Sequence, residues 1–96
     1  MATKTKPFDI AQYLETEEDI KLFLQEVANT GTPSDFIRAL GTAAKAKSMT
    51  EVAMSVGVSR TSLYKSLEEG SNPSFITINK VVEALGCQIT ISAHTT

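Results

Sequence analysis

Apolar positions recur at helical spacing along most of this 96-residue chain and switch to two-residue alternation only near its end. Ile20, Phe23, Leu24 and Val27 fall three and four residues apart, which predicts a helix over 17–29 with Thr16 as its N-cap. Asn29-Thr30-Gly31-Thr32-Pro33 ends it. A second helix is expected over 34–47, burying Phe36, Ile37, Leu40 and Ala44, with Pro33 suited to its first turn. Glu69-Gly70-Ser71-Asn72-Pro73 is a dense turn signal. Beyond it a last helix over 74–85 should bury Phe75, Ile78, Val81, Val82 and Leu85, with Gly86 placed to stop it. Cys87, Ile89, Ile91 and Ala93 then alternate with polar neighbours, the pattern of a strand over 87–93 with one buried face. A lone strand leaves its backbone unsatisfied, so it must pair with the N-terminal segment, with its copy in a second subunit, or with a partner's sheet edge.

Between these helices lies Ser48 to Leu67, SMTEVAMSVGVSRTSLYKSL, spaced as a helix-turn-helix over 48–67. Its first helix would run from Thr50 to Val56 with Val52 and Val56 on one buried face, and Ala53 beside that seam admits a close crossing. Gly57 can take the left-handed conformation that ends a helix. Val58 would plug the junction, and Ser59 would cap a second helix beginning at Arg60. Leu63 and Leu67 face inward, which leaves Arg60, Thr61, Ser62, Tyr64 and Lys65 outward. No acid occurs from Val52 to Leu67.

Composition narrows the function. The length suits one domain, 1–96, with a single modest core and little room for an internal active site. No apolar run approaches the ~20 residues that span a bilayer, and MATKTKP at the start lacks an apolar signal core, so a cytoplasmic protein away from membranes is expected. Cys87 and His94 are the only cysteine and histidine. Cys87 is expected to be a buried, inert thiol. With no glycine-rich phosphate loop and no placed nucleophile and base, no enzyme, metal or cofactor is expected.

The net charge of −2 hides an uneven distribution. From Pro7 to Asp35 seven acids stand against Lys21 alone, net −6; from Phe36 to Leu67 five cations stand against Glu51, net +4. The basic stretch contains the helix-turn-helix, as phosphate attraction requires. The acidic stretch suits a basic partner, although Glu15, Glu17, Glu18 and Asp19 also favour a helix N-terminus. Within the N-terminal arm, 1–14, the segment FDIAQYL places four large apolar residues in seven, too few for an independent helix.

The order FDIAQYL, EEDIKLFLQEV, ALGTAAKAKSMTEVAMSVGVSRTSLYKSL and NPSFITINKVVEALG closely resembles the probable addiction-module antidote proteins, HigA-like antitoxins of the Xre/Cro helix-turn-helix superfamily. The resemblance runs from Pro7 to Ile91 and is most specific in GVSRTSLYKSL, NPSF and VVEALG. Ser66 departs from the general Xre pattern, which often has an apolar residue there; Leu67 is placed to supply that packing.

The resemblance implies an all-α, five-helix, lambda-repressor-like domain with a short C-terminal strand. It implies a DNA-binding antitoxin that neutralises a RelE/HigB-like ribonuclease toxin and represses its own operon. Arg60, Thr61, Ser62 and Lys65 would read base edges in double-stranded operator DNA, and Ser48, Thr50, Ser59, Tyr64, Ser71 and Asn72 would contact its backbone. Lys47 is a further phosphate contact by its charge. The chemistry agrees: arginine can hold guanine O6 and N7 together, a threonine methyl can meet that of thymine, and hydroxyls suit phosphate oxygens. A homodimer is expected, through Ile89 and Ile91 of the strand, with recognition helices roughly 34 Å apart. The toxin is expected on the acidic half through Phe8, Ile10, Tyr13 and Leu14, unless these pack on Phe23 and Ile20 instead. Two other readings compete: a phage-type repressor without a toxin, and a helical interaction module that binds no DNA.

Overall fold

The computed structural model describes residues 10–93. They form a 3-10 turn, Ile10–Tyr13, and five helices: α1 (Glu17–Thr30), α2 (Pro33–Lys47), α3 (Met49–Val56), α4 (Arg60–Ser66) and α5 (Phe75–Ala84). Each helix boundary falls within one residue of the periodicity reading, because the caps are written locally. At α1, the Thr16 hydroxyl accepts from the Asp19 N–H at 3.1 Å while Asp19 Oδ2 accepts from the Thr16 N–H at 3.2 Å. Thr32 and Asp35 repeat that reciprocal box at α2, where Pro33 occupies the first turn. Ser48, Ser59 and Ser74 cap α3, α4 and α5 through their hydroxyls alone.

The helices meet around α2, which packs against α1, α3, α5 and the 3-10 turn, while α3 also packs against α4 and α5. Leu40 of α2, Val52 of α3, Leu63 of α4 and Val81 of α5 are the largest fully buried side chains. No polar or charged residue among those described is buried. Removal of apolar area from water therefore drives the assembly, and each such leucine or valine contributes about 1.5–3 kcal/mol. Gly41 admits the end of α4: a Cβ there would stand 3.3 Å from the Leu67 carbonyl oxygen. Leu67 is itself buried and supplies the packing that Ser66 does not. The Ser66 hydroxyl instead donates to the Ser62 carbonyl at 3.0 Å.

Three expectations are corrected. Cys87 to Ala93 forms no strand among the described residues, because a ladder needs a second backbone and no described segment pairs with this one. Phe75 is 66% exposed rather than buried. It is the first residue of α5, so its side chain leans back past the end of the helix, and the core face begins at Ile78. Cys87, expected to be buried, is a half-buried free thiol resting against the core. No described helix is long and apolar enough to cross a membrane.

Candidate nucleic-acid interface

The α3–α4 pair stands where the sequence predicts a helix-turn-helix, and three residues, Gly57, Val58 and Ser59, join it. Gly57 has φ +91° and donates its N–H to the Ala53 carbonyl at 2.9 Å, joined there by Val58 N–H at 3.1 Å. A side chain at Gly57 meets no atom but would be strained by that φ. Val58 stays 41% exposed and only partly plugs the junction. The Ser59 hydroxyl accepts from the Ser62 N–H at 3.0 Å, which fixes the first turn of α4.

α4 is held by Leu63, fully buried, with Leu67 one turn on. Helical spacing then places Thr61 and Lys65 directly away from the core, with Ser62 beside them and Arg60 and Tyr64 along one flank. All five are exposed. Among the described residues neither Arg60 nor Lys65 enters an ion pair, and α4 contains no acid. The four proposed base readers are thus together on one short helix, available to a ligand that accepts hydrogen bonds.

The proposed backbone contacts divide into groups. Ser48, which closes α2 and opens α3, accepts from the Glu51 N–H at 3.2 Å, and Thr50 lies exposed in the first turn. Like Ser59, Ser48 keeps its hydroxyl proton for an acceptor. Lys47 is drawn toward Glu17 of α1 at 4.0 Å, so a phosphate there would compete with a weak exposed pair. Ser71 donates to the Ser66 carbonyl at 2.7 Å and so ties down the α4–α5 connection. Asn72 is exposed beside it.

Sequence reasoning missed the groove behind α4. Tyr64 lines a cavity of about 210 Å³ with Arg38, Thr42 and Lys45 of α2 and with Glu68. Arg38, Thr42 and Lys45 are four and three residues apart, so one positively charged face of α2 was legible from spacing alone. Arg38 also binds Asp35 at 3.1 Å. The Asp35 carboxyl is held below the usual carboxylate range, first by the Thr32 backbone N–H and then by Arg38.

Of the residues expected to meet a toxin, Phe8 lies outside the described ones. Leu14 packs against the core, whereas Ile10 and Tyr13 are exposed, Tyr13 at 63%. Ile89 and Ile91, expected in the dimer, are exposed. Among the described residues no three or more His, Cys, Asp or Glu side chains are grouped so as to hold a metal ion.

A family model described as the probable addiction module antidote protein matches residues 4–93 of this chain. The chain belongs to that family. A protein of Haemophilus influenzae strain Rd, described as uncharacterized, is 38% identical over 91 residues, covering 95% of this chain and 94% of its own. No solved structure matches the chain. An antidote of an addiction module acts on a toxin, so the family gives this antitoxin a toxin for its partner. The match spans α1 to α5.

Proposed function

We propose that this antitoxin is HigA-like and of the Xre/Cro type: as a homodimer it binds an operator at its own promoter through α3 and α4, and it neutralises a RelE/HigB-like toxin. The observation that carries the DNA reading is the outer face of α4, where Arg60, Thr61, Ser62 and Lys65 are exposed with no acid in the helix. A scaffold helix has no reason to exclude carboxylates from its solvent face; a helix laid against phosphates does. Gly57 and Ser59 set the turn and cap that would present this face to a major groove.

For the toxin, charge supplies the argument. A ribonuclease that holds RNA phosphates carries cations, and the stretch from Pro7 to Asp35 carries net −6. Tyr13 stands exposed at its start, and Leu22, 57% exposed, faces outward on α1 between Glu18 and Glu26. Charge would steer the encounter and these apolar side chains would anchor it.

Fluorescence anisotropy with a labelled duplex from upstream of the chain's own reading frame tests the DNA reading. Arg60→Ala is expected to weaken binding to this duplex by about 1–3 kcal/mol while leaving binding to a scrambled duplex nearly unchanged. Equal loss on both duplexes would remove Arg60 as a base reader, and no preference for the upstream duplex in the unaltered protein would overturn the operator.

A further inference from the structure

From Gln88 to Ala93 the chain is exposed at every residue and lies outside any helix. Its backbone makes no hydrogen bond there among the described residues; the preceding one is Cys87 N–H to the Val82 carbonyl at 3.1 Å. Ile91 is 95% exposed, higher than any other large apolar side chain of the described residues. Apolar alternation beside an open backbone is a strand edge awaiting a partner. Cys87, first on the apolar side, rests against the core, so that side of the segment starts out turned toward the body.

We propose that this segment pairs with its own copy in a second chain, as a two-stranded antiparallel ribbon whose two-fold axis passes between the two Thr90 residues. The pairing rests on the dimeric reading above and adds where the chains meet and in what register. Three properties favour a second copy over a different partner. The segment CQITISA carries no charge, so two copies meet without repulsion. It contains no glycine or proline, and its isoleucines and threonine suit a pleated surface. Its apolar pattern is also symmetric about Thr90, with Ile89 and Ile91 on either side and Cys87 and Ala93 at the ends.

That symmetry selects the register. Opposed residues in an antiparallel pair point to the same side, so centring on Thr90 sets each Ile89 against the partner's Ile91 and each Cys87 against the partner's Ala93. All seven residues from Cys87 to Ala93 are then paired. Centring on Ile89 would oppose Ala93 to Leu85, which is buried at the end of α5, and centring on Ile91 would oppose Cys87 to the polar Thr95. A shift that opposes Thr90 to Ile91 puts polar residues against apolar ones throughout. Gln88, Thr90 and Ser92 are exposed, so replacing them disturbs no core contact.

The register gives distances that cysteines can read. Across the axis the two Thr90 Cα atoms would stand about 4.5 or 5.5 Å apart, according to the hydrogen-bonding phase of the pair. Disulfides form at Cα separations of about 4.4–6.8 Å. The two Gln88 residues, and the two Ser92 residues, would be about 14 Å apart. Gln88→Cys, Thr90→Cys and Ser92→Cys, each made in full-length protein with Cys87→Ser, are oxidised with copper phenanthroline and followed on non-reducing gels, with light scattering of the unaltered protein alongside. Thr90→Cys is expected to link nearly completely, and at least tenfold faster than either neighbour. Linking of Gln88→Cys or Ser92→Cys at the rate of Thr90→Cys overturns the register, and a dimeric protein in which none of the three links overturns the segment as the interface. A monomer by light scattering at all concentrations would instead overturn the dimeric reading, and this pairing with it. In a dimer, Ile91→Lys is expected to raise the dissociation constant at least tenfold with the helical circular dichroism unchanged.

Discussion

α1 and α4 both lie against the core by one apolar stripe, yet they are made in opposite ways. α1 has 14 residues, a reciprocal capping box and three acids in its first turn, all favourable to a helix before any packing occurs. α4 has seven residues, one serine cap and no acid. So short a helix is marginal by itself, and its shape depends on what it packs against. The solvent faces differ in the same sense: carboxylates around Leu22 on α1, and hydroxyls and cations on α4. A helix that spends its outward residues on a ligand gives up local stabilisation there and must be held from within. Leu63 and Leu67 supply that hold.

The sharpest way to break this contrast is to loosen α4 from inside. Leu63→Ala leaves a cavity under the helix and is expected to cost about 2–5 kcal/mol in urea unfolding, with DNA binding lost along with α4. Leu22→Ala, on the exposed side of α1, is expected to change stability by no more than about 0.5 kcal/mol. Similar losses for the two leucines would mean that α1 and α4 are supported alike.

A smaller effect separates the caps. Ser59→Ala is expected to cost about 0.5–2 kcal/mol by thermal unfolding and to weaken DNA binding as well, since the first turn of α4 also carries Arg60 and Thr61. Thr16→Ala should cost a similar amount in stability while leaving affinity for DNA unchanged, because α1 packs on α2 and not through α4. Loss of DNA affinity in the Thr16 variant would place α1 within the DNA-binding surface.

On the toxin side, Tyr13→Ala is expected to weaken neutralisation of the toxin without a change in melting temperature, as Tyr13 is 63% exposed. Neutralisation at the unaltered level would move the contact along α1, toward Leu22.

The smallest effect is a titration. The Asp35 carboxyl is held below its ordinary range by the Thr32 N–H and by Arg38. A carboxyl lowered on folding stabilises the protein above its unfolded value, and the contribution fades as pH falls through the lowered one. Asp35→Asn is therefore expected to melt slightly below the unaltered protein at pH 7, and the two curves should converge as the pH drops below the carboxylate range. A gap that persists into acid would assign the effect to the shape of the capping box rather than to its charge.

Much of this was legible in the chain itself. Caps, helix limits and the glycine at the α3–α4 turn come from interactions within about four residues, so Thr16, Ser59 and Gly57 announce themselves locally. The grouping of Arg60, Thr61, Ser62 and Lys65 follows from 3.6-residue periodicity, and the separation of an acidic from a basic half from counting charges along the chain. Other features required the helices to be assembled. Gly41 reads as an ordinary helical glycine until Leu67 is seen against it. The groove shared by Tyr64 with Arg38, Thr42 and Lys45 joins two helices, and Leu14 turns from a surface anchor into a core contact once the turn before α1 settles on the body. Phe75 fits the periodicity of α5 but projects past its end. The alternation from Cys87 to Ala93 states a strand's preference, while a strand itself needs a second backbone beside it. Local preference and periodicity are written residue by residue, but contact between distant segments is decided only when the chain closes on itself, or on its copy.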